Sequence, residues 1–167
     1  MKRCKKFTRP EGYETVAEKV RAIAKKMNGI GYLFENWHTA NVRIDSKMLP
    51  VMLNVLPVTG TIRVDSQLRD YPNCLFAFMD KVELDANGDD ANSVVERCKA
   101  YAEEFILRLN QSGMFEPISG EVRYSVFYDR LDVNVAGVTI EVTLRERSGI
   151  VLCPGKSVEN TIYGITD

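Results

Sequence analysis

Apolar residues near the start of the chain recur at the spacing of one helix face. A capping pattern, Thr15-x-x-Glu18, precedes this region, and Asn28-Gly29 supplies a left-handed stop after it. Between them lies a continuous apolar stripe: Val16, Val20, Ile23, Ala24 and Met27. The pattern predicts a helix over residues 13–28.

The chain after this helix has the composition of β-structure. Aromatic and β-branched side chains dominate 31–45, and apolar positions alternate over 48–58. Thr59-Gly60 predicts a turn into a further strand over 61–65. We therefore expect β-structure over this part of the chain.

Residues 75–85 predict a strand that is buried on both faces, following a turn at Asp70-Tyr-Pro72. One face carries Phe76, Phe78, Val82 and Leu84, and the other carries Leu75, Ala77 and Met79. Apolar residues on both faces are typical of a central strand covered from two sides.

A second helix is expected after a polar loop over residues 85–92. Ser93-x-x-Glu96 has the capping-box spacing, and Gly113 marks the end of the helical pattern. The apolar stripe between them contains Val94, Val95, Cys98, Ala102, Phe105, Ile106 and Leu109. These features predict a helix over 93–110.

Two alternating segments, 121–128 and 131–147, predict a closing pair of strands. The apolar parity changes at Ala136-Gly137, which is typical of a bulge or bend. The predicted order is α-β-β-β-α-β-β. It indicates an α+β fold, with a mostly antiparallel sheet packed by two helices.

The length of 167 residues predicts one domain, over 13–147, with a basic N-terminal arm over 1–12 and a C-terminal tail over 148–167. No apolar run is as long as a membrane helix requires, and no apolar segment of the secretory kind follows the basic start. We expect no membrane association.

The four cysteines show no metal-binding or disulfide pattern. They are Cys4, Cys74, Cys98 and Cys153, and His38 is the only histidine. Zinc sites need closely spaced cysteines or histidines, which this spacing does not supply. We expect reduced thiols in a cytosolic compartment, with Cys98 buried on the second helix.

Two short motifs resemble ligand sites without meeting their spacing. Gly155-Lys156-Ser157 lacks the upstream glycine of a phosphate-binding loop. Asp85-x-Asn87-x-Asp89 with Glu96 resembles a calcium loop, but Asp90 stands where that loop needs glycine. We expect no cofactor and no metal.

No residue pattern supports catalysis. His38 is predicted to lie on a strand in a hydrogen-bonded or interface position, because the sequence shows no nucleophile motif to accompany it. Glu103 and Glu104 are adjacent on a helix, so their side chains diverge. We expect no catalytic residue, and a small enzyme using His38 is the least favoured alternative.

Charge is separated along the chain although the formal net charge is −1. Residues 1–28 contain nine basic and three acidic side chains, and residues 80–121 contain four basic and ten acidic ones. Opposite patches on one domain favour head-to-tail association. Two solvated helix faces are the alternative interpretation. Nucleic acid is not favoured as a partner, since the basic arm lacks the interleaved aromatic residues of single-strand binders.

The order of elements resembles that of the tail-terminator and head–tail joining proteins of tailed bacteriophages. Residues 76–109 and 131–146 carry the resemblance: a strand leading through an acidic loop into a long helix, and a long closing strand. The resemblance implies a non-enzymatic virion protein, made in the host cytoplasm, that forms a homomeric ring at the phage neck or tail end. Its partners would be itself and other phage tail or neck proteins.

The subunit contacts of such a ring are expected at the basic arm, the acidic loop and the C-terminal tail. The candidate residues are Lys2, Arg3, Lys5, Lys6, Arg9, Asp85, Asp89 and Asp90. The alternative function is a small binding or adaptor module, associated with nucleic acid through its basic N-terminus.

Overall fold

The computed structural model describes residues 13–129 and 131–151. Its helices are α1 (Val16–Ala24), α2 (Trp37–Arg43) and α3 (Gly88–Gln111). Its strands are β1 (Gly31–Glu35), β2 (Val51–Val55), β3 (Thr59–Val64), β4 (Gln67–Lys81), β5 (Tyr124–Tyr128), β6 (Val135–Thr143) and β7 (Ile150–Val151). The predicted α+β class is confirmed.

The body of the sheet has the strand order β1-β2-β4-β6-β5. β1 and β2 are parallel, and the other neighbours are antiparallel, so the sheet is mixed but mostly antiparallel. The second half of β4 lies between β2 and β6. It is the doubly covered central strand that the sequence predicted, although Leu84 falls beyond its end and is 93% exposed.

The first half of β4 forms a hairpin with β3, and β7 pairs on its other side. The turn predicted at Asp70-Tyr-Pro72 is therefore wrong, since these residues lie within β4. The chain reverses instead at Asp65, whose carboxylate accepts from the Gln67 backbone N–H at 2.9 Å. That bond and the nearby guanidinium groups of Arg63 and Arg69 lower the pKa of Asp65 to about 2.

α1 and α3 pack on one side of the sheet, called here the helix face. Three aromatic rings form the centre of its core, with Phe105 of α3 lying 4.9 Å from Phe76 and 5.9 Å from Phe78 between ring centroids. Val20 of α1 and Cys98 of α3 are fully buried beside them. The apolar stripes predicted for both helices are thus the surfaces that face the sheet.

The opposite face is covered by α2, which corrects the prediction of a strand over 31–45. Asn36 ends β1 and caps α2, its side chain accepting from the Thr39 N–H at 2.8 Å. Ala40 is fully buried, and the Trp37 ring contacts the ring of Phe127 edge-on at 5.8 Å. The aromatic and β-branched residues of this segment therefore pack from a short helix as well as from β1.

α3 begins five residues earlier than predicted. Its capping box is formed by Asn87 and Asp90, each of whose side chains accepts the other's backbone N–H. Ser93, predicted to be the cap, instead donates its hydroxyl proton to the carbonyl of Asp89 one turn back. The predicted end of the helix is confirmed, with Ser112 as the C-cap and Gly113 at φ 69°.

The bulge predicted at Ala136-Gly137 is absent, because β6 pairs with β4 without interruption along its whole length. Apolar side chains change from odd-numbered to even-numbered positions because both faces of β6 are covered. A side chain at Gly137 would place its Cβ 2.1 Å from the Phe78 carbonyl oxygen and 2.8 Å from the Phe127 ring. Glycine is therefore required for close packing here.

The described chain continues beyond the predicted domain end at residue 147. Glu146 forms an isolated bridge with Phe115, and β7 then pairs with the start of β4. Residues 1–12, 130 and 152–167 are outside the described residues. The basic arm, most of the tail, Cys4, Cys153 and the Gly155-Lys156-Ser157 motif all fall there.

Candidate functional site

β5 carries a row of large apolar side chains on the protein surface, called here the β5 strip. Tyr124, Val126 and Tyr128 are 50%, 42% and 52% exposed, respectively. They lie on the helix face, because their partners in β6 belong to the helix-face core. The Lys99 ammonium of α3 lies 4.7 Å from the centroid of the Tyr124 ring, so α3 borders the strip without covering it.

The sequence pattern does not predict that the β5 strip is exposed. The alternation of residues 121–128 predicts a strand with one apolar face, which β5 confirms, but alternation alone does not say whether that face is buried or exposed. The apolar face is exposed because the helix layer ends at α3. Exposed apolar rows of this kind are typical of association surfaces.

β1 is the other edge of the sheet body, and its helix-face residues lie beside α1. The Tyr32 hydroxyl accepts from Asn54 Nδ2 at 3.2 Å, and the Arg21 guanidinium lies 6.0 Å from the Tyr32 ring centroid. Burial raises the pKa of Tyr32. Phe34, two residues further along, is half-buried. The β1 edge is therefore apolar, with a basic helix above it.

The acidic loop residues Asp85, Asp89 and Asp90 lie together on one exposed end of the domain. Asp89 and Asp90 belong to the first turn of α3, where carboxylates favour the positive end of the helix dipole. None of the three is in an ion pair with the described residues. The basic side chains expected to meet them lie outside the described residues, so this contact stays a prediction.

A cavity of about 300 Å³ opens between α1, the end of β1 and β3. Most of its lining is apolar, including Val16, Phe34 and Ile62. Asn54 is 3% exposed, and its Oδ1 has no hydrogen-bond partner among the described residues. The cavity holds no histidine, and burial raises the pKa of the lining thiol, Cys74, to about 12.

His38 lies in the first turn of α2, so its predicted place on a strand is wrong. Its side chain is exposed, and α2 packs on the face of the sheet opposite the cavity. Glu104 pairs with Arg108 at 2.8 Å along α3, whereas Glu103 is exposed. His38 therefore lies apart from Glu103 and Glu104, which belong to α3 on the other face of the sheet.

The calcium-loop pattern at residues 85–96 is used for helix capping instead. Asn87 and Asp90 satisfy each other's backbone groups, and Glu96 lies two turns into α3. Within residues 13–129 and 131–151, no cluster of three metal-ligating side chains is present. Cys98 is buried on α3 as predicted, and burial raises the pKa of its thiol to about 12.

The sequence matches no protein-family model and no curated protein. In the described part of the chain, no helix is long and apolar enough to cross a membrane.

Proposed function

We propose that this protein is a non-enzymatic structural component of a tailed-bacteriophage virion, made in the host cytoplasm. Its copies associate into a homomeric ring at the phage neck or tail end, as a tail terminator or head–tail connector. The ring contacts itself and neighbouring neck or tail proteins. The exposed β5 strip, at the opposite edge of the sheet from β1, is the observation that carries the proposal.

The position of the β5 strip favours a ring over a symmetric dimer. Contacts between two different surfaces of identical subunits generate closed rings when the rotation between subunits closes. The β5 edge is apolar beside α3, whereas the β1 edge lies beneath a helix with basic side chains, so the two edges differ in shape and charge. The acidic loop adds a further charged surface at one end.

The solution mass of the purified chain tests the proposal. Light scattering after gel filtration, at low and moderate salt, should give a discrete oligomer of several subunits, and electron microscopy should show closed rings. A chain that is monomeric at every salt and protein concentration, and that does not bind isolated phage tails, contradicts the proposal.

The acidic loop is tested by charge reversal. Asp85→Lys with Asp89→Lys should weaken the ring, because it replaces two exposed carboxylates while leaving the cap residue Asp90 in place. The matched control is Glu116→Lys with Glu141→Lys, which makes the same change in net charge elsewhere on the exposed surface. Equal effects of the two pairs at ordinary salt contradict a specific role for the loop.

A further inference from the structure

We propose that β5 of one copy pairs with β1 of the next copy as antiparallel strands. The sheet then continues from subunit to subunit, and α1 of the neighbour covers the β5 strip. This inference rests on the proposed function, since it specifies the contact that joins successive subunits of the ring.

The directions of the strands permit this pairing. β1 runs parallel to β2, and each further step across the sheet, to β4, β6 and β5, reverses the direction. β5 therefore runs opposite to β1. A second copy placed beside β5, with its helices on the same side of the sheet, presents its β1 antiparallel to β5. Each strand has five residues.

The backbone groups of β1 that point away from the sheet belong to its helix-face residues. The Gly31 N–H and the Glu35 carbonyl oxygen both bond toward the β2 side, at 3.0 Å. Bonding direction alternates along a strand, so Tyr32 and Phe34 direct their N–H and C=O groups outward. Among the described residues, no strand lies beyond this edge.

In β5, too, the backbone groups that point away from the sheet belong to helix-face residues. The Asp129 N–H bonds to the Val135 carbonyl oxygen at 2.9 Å, on the β6 side. By alternation, residues 124, 126 and 128 direct their backbone groups outward, and no described strand meets them. The outward residues of β5 are thus the residues of the β5 strip.

The outward-pointing residues of β1 and β5 limit which residues can lie opposite each other in the pairing between copies. Directly opposite residues of an antiparallel pair point to the same face of a sheet. Val126 must therefore lie opposite either Tyr32 or Phe34 of the neighbour. In both registers four residues pair, and Phe127 remains on the α2 side, opposite Gly31 or Leu33.

The helix layers also fit. α1 lies on the β1 side of the helix face, so continuing the sheet places the neighbour's α1 over the exposed β5 strip. The α1 flank above β1 carries the exposed Arg21 and Lys25, and the α3 flank above β5 carries the exposed Glu96 and Glu103 on either side of Lys99. The basic α1 flank of one copy thus meets the mainly acidic α3 flank of the other copy.

Val126→Pro tests the β5 edge. Because the Val126 N–H points away from β6, proline leaves the ladder within the subunit intact and removes a donor to the neighbour. Association should weaken about tenfold or more, as measured by light scattering. Val126→Lys, which keeps the backbone donor but places a charge beneath the neighbour's α1, should weaken it as well.

Ile62→Pro is the matched control on another edge strand. Ile62 is exposed on β3, and the Asp65 N–H bond to Gln67 indicates by alternation that the Ile62 N–H also points outward. This variant should keep the mass of the wild-type assembly. Circular dichroism and thermal melting verify that each variant is folded.

A mixing experiment identifies β1 as the partner. Phe34→Pro alters the β1 edge, so it should be monomeric alone, as Val126→Pro should be. A mixture of the two should form a dimer with one copy of each, since each variant keeps one intact edge. Assembly of Phe34→Pro alone, while Val126→Pro stays monomeric, overturns β1 as the partner.

The outcomes separate this contact from the ring itself. A wild-type ring that survives both Val126→Pro and Val126→Lys overturns the β5–β1 pairing and leaves the proposed function standing. A wild-type chain that is monomeric at every salt and protein concentration overturns the pairing, and it overturns the proposed function as well if it does not bind isolated phage tails.

Discussion

Lys19 Nζ donates a hydrogen bond to Glu146 Oε1 at 2.9 Å, and both side chains are buried. Glu146 Oε2 also accepts from the Asp70 backbone N–H at 2.7 Å, and Lys19 Nζ reaches the carbonyl oxygen of Ser148 at 3.4 Å. The Tyr13 hydroxyl lies 3.2 Å from both carboxylate oxygens. The Glu146 carboxylate therefore connects α1 and the β3–β4 hairpin to the segment after β6.

Glu146→Ala should lower the free energy of unfolding by about 3–5 kcal/mol, because it leaves the Lys19 ammonium buried without its partner. Replacing both residues, as Lys19→Met with Glu146→Leu, should lower the free energy of unfolding by less than Glu146→Ala alone does. Denaturant unfolding measures both. Lys25→Met, an exposed lysine of the same region, is the control and should change stability by less than about 0.5 kcal/mol.

Asp70→Asn should stabilise the protein at neutral pH. Burial, and then the Glu146 carboxylate, raise the pKa of Asp70 above its ordinary value of 3.8. The folded state therefore disfavours the charged form of Asp70, and the contribution of Asp70 to stability falls as the pH rises from about 3.8 through its folded-state pKa. Asparagine removes that charge and leaves the backbone N–H bond to Glu146 in place.

Melting temperatures of wild type and Asp70→Asn between pH 3 and 8 measure this effect. The difference between them should be greatest at pH 7 and should vanish toward pH 3, where the wild-type carboxyl is protonated. Asp85→Asn, in the exposed acidic loop, is the control. A difference that is independent of pH would show that the charge of Asp70 is not its cause.

Gly137→Ala should destabilise the protein by about 1–3 kcal/mol or more, because its Cβ collides with the backbone of β4 and the ring of Phe127. Gly88→Ala is the matched control. A Cβ there meets no atom within 4 Å, and alanine is a better helix former at the start of α3. Equal unfolding free energies for the two variants contradict the close packing of β6 against β4.

Cys74 and Cys98 should resist thiol reagents at pH 8 in the folded protein. Burial raises the pKa of both thiols to about 12, so the reactive thiolate is scarce, and Cys74 and Cys98 are only 5% and 0% exposed. Peptide mass spectrometry after labelling identifies the modified cysteines. Labelling of either at the rate seen in denaturant would refute their burial.

The start of a helix was predicted correctly where the sequence offers one capping pattern, and incorrectly where it offers two. The Thr15 cap of α1 is formed as predicted, with both bonds of its capping box. For α3, two capping patterns lie six residues apart, at Asn87 and Ser93, and the chain uses the earlier one. Both satisfy the same backbone donors, so local spacing alone does not choose between them.

The sequence by itself determined which faces of α1 and α3 are apolar and that β4 is covered on both sides, because side-chain periodicity follows directly from helix and strand geometry. Tertiary structure decided what those patterns do not encode. The segment from Trp37 forms a helix because it packs its aromatic ring and Ala40 against the sheet. Lys19 within an apolar stripe is explained only by Glu146, 127 residues away. The β5 strip is exposed because the helix layer ends at α3, and the extent of a layer depends on where distant elements pack.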